Sequence, residues 1–267
     1  MSKLTWLTYF WGVCSVLTAC SPESTNGKIC EKAYWEHYEG TKLYSLHPNG
    51  AYFYVTDHMS IDADGAPNAY GPKNSGLDYN ANAGYPDQSW WRDVLVPDPS
   101  NSEEAYVQPH GEFAGYFVSK TALFDNRTST PATSPKKYVN ASEIPYVVFP
   151  GKHYLKKGTG RLGDFGYAVN LNSGVSSPFI VADVGPTSAK LGEVSIRLAE
   201  NLGGENVSPR DGSGRPKGEI LYVVFPYSSS SSREERWPLD NDEISRLANA
   251  AASAIGGIET LRSCNDH

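Results

Sequence analysis

FIVADVGPTSAKLGEVSIRLAENLG (179–203) is the stretch whose reading decides the fold. An apolar, β-branched run ends in Asp183, the Gly185-Pro186 pair turns the chain, and Leu191-Gly192 brings it back with Glu193 ahead of a short amphipathic run. That layout predicts a strand, a turn and a small helix stopped by Gly203, a residue suited to positive φ. Two carboxylates ten positions apart would then stand at the end of one element and the start of the next, able to face one cleft.

Working outward, AYFYVT (51–56), GEFAGYFVS (111–119), IPYVVFP (144–150), FGYAVNL (165–171) and EILYVVFP (219–226) are aromatic and β-branched runs bounded by Gly or Pro. They read as strands. The best helical period lies in DNDEISRLANAAASAIGG (240–257), where acids open the run, Ile244, Leu247, Ala248, Ala251 and Ile255 share a face, and Gly256-Gly257 closes it. With 17 Tyr, 6 Trp, 9 Phe, 25 Gly and 18 Pro, the composition predicts a mainly β single domain with a few short helices. The strand, Gly-Pro turn and small helix of 179–203 are similar to the layout of double-psi β-barrels, so a single-domain β-barrel is expected.

The chain starts with a basic residue, Lys3, followed by an uncharged apolar stretch from Leu4 to Ala19. This predicts a secretory signal over 1–19. Leu17-Thr18-Ala19-Cys20 resembles the lipobox of bacterial lipoproteins, which implies lipidation of Cys20 and a lipidated polar tether over 20–29, ahead of a single folded domain over 30–267. Membrane contact is then expected through the N-terminal lipid alone. Ser21, by similarity to bacterial sorting signals, points to the outer membrane or cell surface. Of the 4 cysteines, Cys30 and Cys264 are expected to form a disulfide after export, two free thiols being the alternative. A net charge of -7 argues against nucleic acid as a partner and for a cationic one. A monomer is expected.

Several motifs fail on context. DFG (164–166) has no accompanying kinase loops, and the S-x-x-K of SPKK (134–137) lacks its partner motifs. The 6 His show no zinc spacing, and DADG (62–65) lacks the distal ligands of a calcium loop. No metal and no cofactor are expected.

Hydrolysis of a glycosidic bond requires two carboxyl groups, one donating a proton to the leaving oxygen and the other activating water or attacking the sugar. Asp183 and Glu193 suit those roles. They equally suit structural ones, Asp183 satisfying donors in its turn and Glu193 complementing a helix N-terminus.

Four segments, MSIDADGAPNAYGPKNSGLDYNANAG (59–84), GYFVSKTALFD (115–125), YVNASEIPYVVFPG (138–151) and the opening stretch, together resemble the family 75 glycoside hydrolases, the chitosanases. The resemblance covers roughly residues 50–227. It implies endo-hydrolysis of β-1,4-linked glucosamine polymer with inversion, with Asp183 and Glu193 as the catalytic pair. Glu193, near apolar Leu191 and Val194, is assigned the general acid and Asp183 the base, the reverse assignment being the alternative. Trp90 and Trp91 in QSWWRD (88–93) are candidate sugar platforms, and Asp62, Asp64 and Asp78 candidate partners for ammonium groups, with core packing and turn chemistry as their alternatives. A lipid anchor departs from freely secreted members and leaves open a lipoprotein that binds polysaccharide, or serves as an envelope scaffold, without cutting.

Overall fold

The computed structural model describes residues 31–46, 50–232 and 235–265. The expectations for the signal, the tether, Cys20 and Cys30, and the side chain of Cys264, lie outside the described residues. No helix among the described residues is long and apolar enough to cross a membrane.

In chain order the elements are β1 (Lys32–Tyr38), β2 (Thr41–Leu46), β3 (Ala51–Thr56), β4 (Ser60–Asp62), α1 (Trp91–Val94), β5 (Tyr146–Pro150) and α2 (Gly151–Tyr154). There follow β6 (Phe165–Asn170), β7 (Ser176–Gly185), β8 (Glu193–Ser195), α3 (Ile196–Asn201), β9 (Ile220–Phe225), α4 (Asn241–Ser253) and α5 (Gly257–Asn265). Nine strands form one mixed sheet in the order β1-β2-β3-β9-β6-β7-β5-β8-β4. Among the described residues the protein is mainly β with five short α-helices.

The expected barrel does not close. Among the described residues no ladder joins β1 to β4, the two ends of the order. Curling does bring Tyr38 of β1 towards the β7 end of the sheet, where its hydroxyl donates to the Thr187 carbonyl at 3.4 Å. That contact belongs to a side chain, and β4 is only three residues long, so neither edge offers the other a backbone ladder.

Strands β5, β6 and β9 are buried along their whole length, which explains why apolar and aromatic residues dominate them, Asn170 at the end of β6 being the polar exception. Helix α4 covers β6 and β7, burying Ile244, Ala248 and Ala252, and Asp240 caps it by accepting from the Glu243 N–H at 2.8 Å. The predicted strand over 111–119 is absent: Gly111 and Gly115 take φ of +91° and +93°, and only single bridges form, Val107 with Phe117 and Leu95 with Ser119. That stretch belongs to a long, largely irregular segment, 63–145, which follows β4 and returns to the sheet at β5. A small cluster of Val96, Val118 and Tyr138 helps pin it, and it walls the cleft described next.

Candidate active site

The apolar run Phe179–Ala182 is buried in the sheet, and Asp183 follows it on β7. Glu193 opens β8. Between these strands lies β5, and its Val148 is the register partner of both acids, parallel to Asp183 and antiparallel to Glu193. Residues directly opposite one another in a sheet project to the same face. The two acids therefore share a face across one strand, their Cα atoms about two inter-strand spacings, or ~10 Å, apart. The Glu193 carboxylate leans back towards β7, its Oε2 lying 3.2 Å from where a side chain on Gly185 would begin.

Local chemistry fixes Glu193 in place. Gly192 has φ +110°, and a Cβ there would lie 2.2 Å from the His58 carbonyl, so only glycine lets β8 approach this closely. Three residues on, the fully buried Ser195 caps α3 by accepting from the Leu198 N–H at 3.1 Å. Its hydroxyl also accepts from the Tyr146 N–H at 3.0 Å and donates to the Ile144 carbonyl at 2.8 Å, lacing β8 to the entry of β5.

Both acids line a cleft of about 760 Å³ whose other walls include Asp62, Asp64, Tyr70, Asp78, Trp90 and Asp93. Asp62 arrives from β4, which pairs in parallel with β8. Its Oδ2 accepts from the Tyr146 hydroxyl at 2.9 Å and its Oδ1 from the Asp64 N–H at 2.8 Å. Asp64 accepts from the Ser119 hydroxyl at 2.9 Å. One oxygen each from Asp62, Asp64 and Asp183 lies within 4.8 Å of the other two, a charge density that calls for a shared proton or a cation.

Burial and neighbouring acids push both members of the pair up alike, and their hydrogen-bond partners distinguish them. Asp183 is pushed up to about 8 by burial and then by Asp62, yet its Oδ1 accepts from the Val184 N–H at 2.7 Å and the Ala122 N–H at 2.9 Å, contacts that favour its anion. Glu193 is also pushed up to about 8, by burial and then by Asp62 and Asp183, with no hydrogen bond among the described residues opposing it. Asp62 rises to about 6, burial being countered by the Asp64 N–H and the Tyr146 hydroxyl. Burial, Asp62 and Asp183 raise Asp64 well above the carboxylate range. Acids this close lose their protons as a coupled set, so the last to ionise is the one with least support for its anion. Of the two, Asp183 has backbone N–H support for its anion and Glu193 has none among the described residues.

The sequence candidates divide on inspection. Asp183, Glu193, Asp62, Asp64, Asp78 and Trp90 all line the cleft. Asp78, 5% exposed, is tied to the Tyr79 N–H at 2.7 Å and the Asn82 amide at 2.8 Å, so turn chemistry accounts for one of its oxygens. Trp90 is 43% exposed. Trp91 is the correction: it is 3% exposed, lies in the core edge-on to Tyr85, and carries the Arg92 guanidinium 4.5 Å from its ring, so no face is free for a sugar. Sequence reasoning missed Tyr146, Tyr70 and Ser119. A tyrosine in the otherwise apolar core strand YVVFP was the available signal for the first, since a buried hydroxyl needs a partner.

Compared with known families and with curated proteins, the chain matches no family model and no curated sequence.

Proposed function

We propose that this protein is an endo-acting glycoside hydrolase that cuts a cationic, chitosan-like β-1,4-glucosamine polymer with inversion. The observation that carries the reading is the placement of Asp183 and Glu193 on one face of the sheet, on either side of Val148, at the floor of one cleft. The resemblance of four segments to the family 75 chitosanases supports the same pair. Glu193 delivers its proton to the glycosidic oxygen as the leaving sugar departs. Asp183, oriented by the Ala122 and Val184 N–H groups, takes a proton from the water that attacks the sugar carbon on the opposite side. Inversion calls for carboxyl groups ~6.5–9.5 Å apart, leaving room for that water.

Amino sugars suit the cleft because acids dominate its charged lining. An ammonium group beside Asp62, Asp64 or Asp78 supplies the positive charge their crowding demands, and Trp90 offers a ring face beside them. No metal or cofactor takes part in this reading. We place the protein outside the cytoplasm, held as a monomeric lipoprotein at the outer membrane or cell surface through lipid on Cys20.

The test is release of new reducing ends from chitosan by the wild type beside Asp183→Asn and Glu193→Gln. Release that both substitutions abolish supports the hydrolase; a wild type that binds the polymer and yields no new ends overturns it. A second reading, a lipoprotein that grips polysaccharide without cutting it, draws on one specific observation: both acids are pushed up to about 8, which at neutral pH leaves neither fully ionised to serve as base. The same assay separates the two.

A further inference from the structure

Acids crowd the cleft, and Arg215 is the one basic side chain among the described residues that line it. Two contacts hold it there. Its Nη1 donates to the Met59 carbonyl at 2.6 Å, and its guanidinium lies against Gly212, where a Cβ would stand 3.4 Å from Nη1 and from the guanidinium carbon. Arg215 is exposed, and no ion pair joins it to an acid among the described residues. Asp211, the acid of its own loop, accepts instead from the Ser213 N–H at 3.0 Å. A guanidinium is a fork of several donors, and one carbonyl does not use it up.

The ladders show which part of the cleft Arg215 serves. Ser60 of β4 pairs with Glu193 of β8, Glu193 with Val148 of β5, and Val148 with Asp183 of β7, a row that crosses four strands and carries both acids of the pair. Met59, the anchor of Arg215, precedes that row along the chain, whereas Asp62 and then Asp64 follow it. Arg215 therefore stands on one side of the row and the Asp62–Asp64 cluster on the other.

We propose that Arg215 is a specificity-determining residue that reserves the sugar site on its side of the cut bond for an N-acetylated unit, while the Asp62 side takes a free glucosamine. The inference rests on the hydrolase reading and refines its substrate to a partly acetylated polymer. A like charge at close range turns an ammonium away. The amide of an N-acetyl group is neutral, and its carbonyl accepts from a guanidinium N–H. A carboxylate would pair with Arg215 more strongly still, but the acids of the cleft repel it. Because Arg215 lies on one side of the row only, a chain bound in one direction is cut with its acetylated unit on a fixed side.

The experiment digests partly acetylated chitosan with the full chain and with Arg215→Met and Arg215→Glu, and reads the sugars at the new reducing and non-reducing ends by mass spectrometry. In wild type the ratio of N-acetylglucosamine to glucosamine at one of those ends exceeds that of the polymer by about 10-fold, the scale of one hydrogen bond to a charged group. Both substitutions remove the excess. Ends of random composition in wild type, or an excess that survives either substitution, overturn the proposal. A second readout needs no cutting: calorimetric binding of fully deacetylated and partly acetylated glucosamine hexamers to the Asp183→Asn chain, with and without Arg215→Glu. The added substitution tightens the deacetylated hexamer by about 10-fold and weakens the acetylated one. Unchanged or absent binding overturns the proposal. Arg215→Gln replaces either variant if it fails to fold. Should the wild type cut nothing, the hydrolase reading falls while the binding comparison still decides the role of Arg215.

Discussion

Asp183 on β7 and Glu193 on β8 are both partners of Val148, the residue of β5 that lies between them. Their relative placement is therefore set by backbone ladders and not by loops. Removing either carboxylate should leave the fold intact and lower kcat on chitosan by about 100-fold or more, the usual scale for a lost acid or base. Circular dichroism beside the reducing-end assay checks both halves of that expectation.

The raised acids make stability depend on pH. In the unfolded chain carboxyl groups release their protons near pH 4, roughly, whereas Asp183 and Glu193 in the folded chain hold theirs up to about 8. Between those values the folded state binds more protons, so its stability is greatest at the acid end of the window and is lost as pH rises. The double variant Asp183→Asn, Glu193→Gln lacks this penalty. It should melt about 3 °C or more above wild type at pH 8, with the gap narrowing towards pH 5.

The adjacent tryptophans should respond in different assays. Trp90 is 43% exposed at the cleft, so Trp90→Ala should raise KM for the polymer by about 2- to 30-fold with little change in melting. Trp91 is core, and Trp91→Ala should cost about 3–5 kcal/mol of stability. Steady-state kinetics and denaturant unfolding distinguish them.

Gly192 carries no chemistry, yet it sets the position of Glu193. An alanine there would need φ near +110° with its Cβ 2.2 Å from the His58 carbonyl. Either β8 moves or the strain stays, at a cost of about 2 kcal/mol or more. Because the displaced residue is the proton donor of the proposed mechanism, kcat should fall by roughly 100-fold in protein that still folds, KM changing less.

Much of this architecture is legible locally. The aromatic and β-branched runs at 51–56, 165–171 and 219–226 become β3, β6 and β9, and the Asp240 cap with its Ile244 face becomes most of α4. Strands β1 and β2 escaped because their Lys, Glu and Tyr side chains do not sort cleanly onto two faces. The false strand at 111–119 had the right composition, but its two glycines bend the chain where pairing would need it extended. The pair Asp183 and Glu193 could be found because one short stretch holds both. Tyr146 and Ser119 could not, since they meet the acids only through the packing of β5 in the sheet and the return of the 63–145 segment. Even the closed barrel was a misreading of this kind, for whether β1 reaches β4 depends on accumulated curl and not on any one run of residues.

The gathering of Asp62, Asp64, Asp183 and Glu193 leaves the groove electrostatically frustrated. A guest bearing amines relieves that repulsion and so tightens the whole domain. A melting curve would then register the arrival of a glucosamine oligomer even in a variant unable to break it.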